Sequence, residues 1–149
     1  MTPWSDQPGV MVLPSGRRVR GRSLRTESVP EHVPDFGLYL QGRPVPAQAW
    51  QTRWIKWPDF WLPSDRADFL VALRDALERS GSERVELACS GGFGRTGTAL
   101  ACLGILDGVP ASDAVDYVRR HYSHRAVETP WQRGFVARFP ANSTHRSAT

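Results

Sequence analysis

The chain has 149 residues, 40% hydrophobic and 23% charged, with a formal net charge of +4, which suits one globular domain large enough to bury a core. No apolar run approaches the roughly 18 residues of a membrane span. The start, MTPWSDQPGVMVLPSG, lacks the basic n-region and long apolar h-region of a secretory signal. The expected setting is therefore the cytoplasm, with no membrane partner and with Cys89 and Cys102 kept as thiols.

In chain order, residues 9–25 (GVMVLPSGRRVRGRSLR) predict a β-hairpin turning at Pro14-Ser15-Gly16. Its Arg17, Arg18, Arg20, Arg22 and Arg25 are expected to form a solvated basic face. Without interleaved aromatics they do not make nucleic acid the expected partner. Residues 27–35, with Pro30 and Pro34, are expected to be loop. FGLYLQG (36–42) predicts a strand ended by Gly42, and WQTRWIKW (50–57) predicts another, stopped by Pro58.

From Ser64 the period changes. Phe69, Leu70, Leu73 and Leu77 recur at helical spacing, with Ser64 as the expected N-cap and Gly81 as the stop. RVELAC (84–89) predicts a strand inside a sheet, and TGTALACLGILDG a buried helix closed by Gly108. PASDAVDYVRRHY (110–122) predicts an amphipathic helix with Ala114, Val115 and Val118 inward. Thr129 then caps a last helix with Pro130 at its first position. Residues 1–140 are expected to form one α/β domain, a central mixed β-sheet flanked by helices, and the polar residues 141–149 a disordered tail.

Between the buried strand and the buried helix lies Cys89-Ser90-Gly91-Gly92-Phe93-Gly94-Arg95-Thr96. At such a junction, consecutive backbone N–H groups and a helix N-terminus can hold an anion. Gly91, Gly92 and Gly94 are expected to supply the unusual backbone angles this requires. Arg95 is a planar fork suited to two phosphate oxygens. A nucleotide-binding loop would instead read GxxxxGK[ST]. The groups that hold a phosphate also favour a thiolate, so Cys89 is the expected nucleophile, and Thr96 is placed to donate its hydroxyl to the sulfur. Departure of an alkoxide needs an acid from outside the loop. Trp57-Pro58-Asp59, in a proline-interrupted aromatic loop, offers one in Asp59.

Cys-x5-Arg-Thr with internal glycines resembles the signature of the cysteine-dependent protein tyrosine phosphatases, and WPDFWLP resembles their mobile acid loop, usually WPDxGxP. RAVETPWQRGFV resembles the later segment whose glutamines orient the attacking water. These elements span roughly residues 50–140, while the first 35 residues match nothing recognisable. The resemblance implies a compact, dual-specificity-like phosphatase acting on phosphotyrosine in proteins, with phosphoserine and phosphothreonine as further candidate substrates. It implies Cys89 as nucleophile, Arg95 with the Ser90–Arg95 amides as phosphate clamp, Asp59 as general acid and base, Gln132 on the water, and no metal or cofactor. Trp57, Trp61 and Trp131 are candidate pocket walls.

Three positions depart from the pattern. Ala88 stands where histidine usually helps organise the loop, so reduced activity at acidic pH is expected. Glu128 takes the first glutamine position and should turn away to Arg125 or Arg133 if it is not to repel phosphate. Trp61 replaces the acid-loop glycine. Alternatives are a phosphoinositide phosphatase, disfavoured because no cation precedes Arg95 in the loop, an RNA 5′-phosphatase, and a phosphoprotein-binding pseudophosphatase. Cys102 is expected in the core, and His121 and His124 on the surface. The oligomeric state is not legible here.

Overall fold

The computed structural model of the chain describes residues 4–25 and 32–140. Residues 27–31 of the expected loop at 27–35, and the tail at 141–149, lie outside the described residues. Strands β1 (Val10–Val12) and β2 (Arg18–Ser23) form the hairpin, followed by β3 (Phe36–Gln41) and β4 (Gln51–Lys56). Then come helix α1 (Arg66–Arg79), strand β5 (Val85–Cys89), and helices α2 (Gly94–Leu106), α3 (Ala114–His121) and α4 (Pro130–Ala137). A 3-10 turn at Ala111–Asp113 leads into α3.

The sheet order is β1-β2-β5-β3-β4. β1 is antiparallel to β2, and the other pairings are parallel, so the sheet is mixed and β5 lies at its centre. Val85, Leu87 and Cys89 alternate onto one face, where they join Leu38, Leu40 and Val19 in a core with Phe69, Leu73, Leu100, Leu103, Val118 and Val136 of the four helices. All thirteen residues of α2 are buried. This is why its sequence is apolar on every side.

Several local expectations shift by a residue or two. The N-cap of α1 is Asp65, whose side chain accepts from the Asp68 N–H, while Ser64 N–H donates to the Lys56 carbonyl. Helix α2 begins at Gly94, so Gly94 and Arg95 form its first turn. Gly108, at φ +115°, closes it. Val115 is only partly buried, beside buried Ala114 and Val118. Thr129 caps α4 as expected, through a capping box with Gln132.

The basic hairpin face is not solvated throughout. Arg20 and Arg22 are each only 7% exposed. Alternation along β2 turns both onto the face where parallel β5 presents Glu86, which is fully buried. Glu86 accepts from Arg20 at 2.6 Å, from Arg22 at 2.8 and 2.9 Å, and from the Tyr39 hydroxyl at 2.8 Å. The Trp50 indole N–H donates to the Tyr39 hydroxyl, and Trp4 lies over Arg20. An acid 64 residues from Arg22 in sequence makes the burial of that arginine possible.

Candidate active site

The C-terminal ends of the parallel strands converge on the loop after β5, the place where sheets of this kind carry their sites. Cys89, 2% exposed, ends β5 and lies at the base of a cavity of about 270 Å³. Gly91, Phe93, Gly94 and Arg95 line the cavity from the same loop, and Asp59 and Phe60 from the loop after β4. The remaining walls are Ser23, Arg25, Arg125 and Glu128.

The loop wraps around the sulfur. Gly92 adopts φ +83° and its N–H donates to Cys89 Sγ at 3.2 Å. A side chain there would be strained in the backbone and would meet Ser23 at 3.0–3.1 Å. Gly91 and Gly94 do not have positive φ. At Gly94 a Cβ would fall on the Glu128 carboxylate, so a side chain there would require Glu128 to move. Phe93 precedes α2 without a side-chain cap, so the first amides of the helix have no capping side chain. The Ser90 carbonyl accepts from the Ser23 hydroxyl at 2.7 Å and from the Arg25 N–H at 3.1 Å, which bonds the loop to the end of β2.

Arg95, 4% exposed, joins the two loops. Its Nη1 donates to the Trp57 carbonyl at 3.0 Å, and its Nη2 stands 3.4 Å from Asp59 Oδ1. The Asp59 side chain is itself about half exposed (53%), at the cavity mouth. Cys89, Arg95 and Asp59, expected together from widely separated motifs, thus share one cavity.

Other expected site residues lie elsewhere. Trp57 is fully buried in the core, edge-on to Phe69 at 5.2 Å, and its indole N–H donates to the Trp61 carbonyl at 2.6 Å. Trp61 and Trp131 pack on each other at 5.8 Å, exposed and outside the cavity lining. The aromatic at the cavity is Phe60, 55% exposed and at φ +59°. Ser90, Gly92 and Thr96 are also absent from the lining. The buried Thr96 hydroxyl has no hydrogen-bond partner, so the expected bond to the sulfur is not formed.

Gln132 is fully buried and does not face the cavity. Its Oε1 accepts from the Glu128 and Thr129 N–H groups, and its Nε2 donates to the Trp61 carbonyl at 3.1 Å. The capping box uses the carboxamide that was expected to hold water, and the same group bonds α4 to the acid loop. Glu128 lines the cavity and forms no ion pair among the described residues; Arg125 instead stacks on Phe93 at 4.3 Å.

Ser23, Arg25, Phe60 and Arg125 were not anticipated as cavity walls. Phe60, inside the WPDFWLP motif, and Arg125, at the start of RAVETPWQRGFV, carried a local signal, whereas Ser23 and Arg25 depend on which strand ends and loops meet. Cys102 is fully buried within α2, where burial pushes its thiol well above the ordinary value, and His121 is exposed. Among the described residues, no cluster of His, Cys, Asp or Glu is arranged to hold a metal ion, and no helix is long and apolar enough to cross a membrane.

The family model for protein-tyrosine phosphatases matches residues 25–133, beginning upstream of the region that the motifs cover. An uncharacterised protein of Methanocaldococcus jannaschii is 30% identical over 128 residues, covering 74% of this chain and 79% of that protein. A second uncharacterised protein of the same organism is 34% identical over 88 residues, and this chain spans 58% of its length. Receptor-type tyrosine-protein phosphatase epsilon of Mus musculus is 30% identical over 93 residues, 56% of this chain and 13% of that protein. Among solved structures, Tk-PTP in its active form superposes with a TM-score of 0.55 at 27% identity, covering 68% of this chain and 76% of that one. Kinase associated phosphatase, with its catalytic-site cysteine changed to serine, superposes with a TM-score of 0.66 over 89% of this chain and 94% of that one. At 14% identity the latter likeness is one of fold.

Proposed function

This chain belongs to the protein-tyrosine phosphatase family, and on that premise we propose that it hydrolyses phosphotyrosine in proteins through a phosphocysteine intermediate. The observation that carries the reading is the convergence of Cys89, Arg95 and Asp59 on one cavity. A nucleophile, a phosphate clamp and a proton donor are the three parts the reaction needs.

In the first step the Cys89 thiolate attacks phosphorus. A sulfur–phosphorus bond forms, the bond to the tyrosine oxygen breaks, and Asp59 gives its proton to that oxygen. Arg95 and the amides from Ser90 to Arg95 hold the equatorial oxygens and meet the charge that builds on them. In the second step water attacks the phosphocysteine, ionised Asp59 takes a proton from the water, and Cys89 leaves as thiolate. Thr96, its hydroxyl otherwise unpartnered, is the group available to donate to the departing sulfur. Phe60, at the cavity mouth, is suited to pack against the substrate's phenyl ring. Gln132 acts at one remove, holding the acid loop through the Trp61 carbonyl.

The test is hydrolysis of p-nitrophenyl phosphate and of a phosphotyrosine peptide by wild type, Cys89→Ser and Asp59→Asn. Wild type is expected to turn over both and Cys89→Ser neither. Asp59→Asn should fall by roughly 10²–10⁴-fold, the usual worth of a positioned acid. Wild type as inert as Cys89→Ser on both substrates would defeat the reading, and retained phosphopeptide binding in that case would indicate a binding module. Parallel phosphoserine, phosphoinositide and 5′-triphosphate RNA substrates separate the remaining substrate classes.

A further inference from the structure

In the loop after β5, one peptide is held from outside by a residue that neither the motifs nor the cavity lining include. Tyr122 follows α3, and its hydroxyl donates to the Gly92 carbonyl at 2.6 Å. Gly92 is the single positive-φ residue of this loop, and its own N–H points at Cys89 Sγ. We propose that Tyr122 is a positioning residue for the phosphate-binding loop: by holding the Gly92 carbonyl on its hydroxyl, it aims the following Phe93 amide into the cavity where the substrate's oxygens bind.

The reasoning starts from the peptide bond. A trans peptide is planar, so the Gly92 carbonyl and the Phe93 N–H point in opposite directions. Tyr122 does not line the cavity and Phe93 does. Fixing the carbonyl on Tyr122 therefore turns the amide away from Tyr122 and toward the cavity. Released, that peptide can rotate through ψ of Gly92 and φ of Phe93, with no Cβ on the glycine to oppose it. Rotation would put a carbonyl oxygen where an oxyanion binds, losing one donor and adding one repulsive dipole.

The tyrosine is itself firmly seated. Its ring lies against Gly21 of β2, where a Cβ would come within 2.5 Å of the ring carbons. Its N–H donates to the Val118 carbonyl at 2.9 Å. Burial, and then the neighbouring Cys89, push its pKa above the ordinary value of 10, so it stays protonated and able to donate. Ala88 offers the loop no polar side chain, and the bonds from the end of β2 reach the Ser90 carbonyl, so the Gly92 carbonyl is left to Tyr122.

This inference rests on the phosphatase reading, and the experiment separates the two. Wild type, Tyr122→Phe and Tyr117→Phe are compared for p-nitrophenyl phosphate hydrolysis and for orthovanadate inhibition, at a temperature where circular dichroism shows all three folded. Tyr117 is the control: its hydroxyl donates to the Val12 carbonyl at 2.7 Å, a tyrosine–carbonyl bond made from within α3 at the surface and away from the loop. Tyr122→Phe keeps the ring and is expected to lose about tenfold or more in kcat/KM and in vanadate affinity, approaching the cost of a missing oxyanion donor. Tyr117→Phe is expected to match wild type in both. Tyr122→Phe with wild-type kcat/KM and vanadate affinity would overturn the inference and leave the phosphatase reading intact. Equal losses in both variants would also overturn it, since they would reflect helix stability. An inactive wild type would instead defeat the phosphatase reading, and phosphate binding measured by calorimetry on wild type and Tyr122→Phe would then decide the loop claim alone.

Discussion

Removing the carboxylate at Glu86 should be the most destabilising single change on the sheet, although it is three residues from Cys89 and makes no contact with the cavity. The wild-type carboxylate accepts from Nη2 and Nε of Arg20 at 2.6 and 3.2 Å, from Nε and Nη2 of Arg22 at 2.9 and 2.8 Å, and from the Tyr39 hydroxyl at 2.8 Å. In Glu86→Gln one oxygen remains, and an NH₂ group faces donors on the other side. Two arginines, each 7% exposed, then face a neutral amide in place of the carboxylate that both of them bond. Breaking a buried network from one side costs about 3–5 kcal/mol, against a typical total stability of roughly 5–15 kcal/mol. With a urea m-value near 2 kcal/mol/M, the midpoint should fall by about 1.5–2.5 M at unchanged m. A fall below about 0.5 M, or roughly 1 kcal/mol at that m-value, would refute the reasoning by showing that the arginines find water or other partners.

The same cluster carries a pH signature. Burial pushes the Glu86 carboxyl up, but the bonds and charges of Arg22 and Arg20 outweigh burial and hold it below its ordinary value of 4.5. A group depressed on folding contributes its full stability above its unfolded value and loses it as pH falls through the folded value. The gap between wild type and Glu86→Gln should therefore be constant at neutral pH and narrow below about pH 4.5. Replacing Arg20, Arg22 and Glu86 together with apolar side chains of similar volume should recover most of the loss, because no unpaired charge then remains.

Three further substitutions probe the site. Gly92→Ala, forced into a left-handed backbone and against Ser23, should cost roughly 1–2 kcal/mol, and should lower phosphate binding measured by calorimetry more than it lowers the melting temperature. Gln132→Ala removes half of the capping box and the bond to the Trp61 carbonyl. It should destabilise by about 1–2 kcal/mol, and, because the loop that carries the proposed acid is loosened, steady-state assays should show kcat and KM changing together. Glu128→Gln removes a carboxylate that lines the cavity with no ion pair of its own. The KM for a dianionic aryl phosphate should fall by roughly three- to tenfold at low salt, with the difference shrinking as salt is added.

What the sequence by itself determined lies in short-range patterns. The glycine-rich turn after an apolar strand, the arginine at its far end, the proline-bounded acid loop and the Thr129-Pro130 helix start each depend on backbone angles and bonds spanning a few residues. They nominated Cys89, Arg95 and Asp59 as candidate site residues and gave the strands and helices of a mixed α/β sheet. The tertiary structure decided whatever depends on a partner far along the chain. Strand register set Arg20 and Arg22 over Glu86, so two arginines of a run read as a solvated face lie in a buried ionic cluster. Packing sent Trp57 into the core and left Phe60 at the cavity. Gln132 is used by its own helix cap, and Tyr122, 30 residues from Gly92 in sequence, holds that carbonyl. Local patterning specifies which conformations a segment favours, whereas the partner of a buried polar group follows from which strands and helices come to lie side by side.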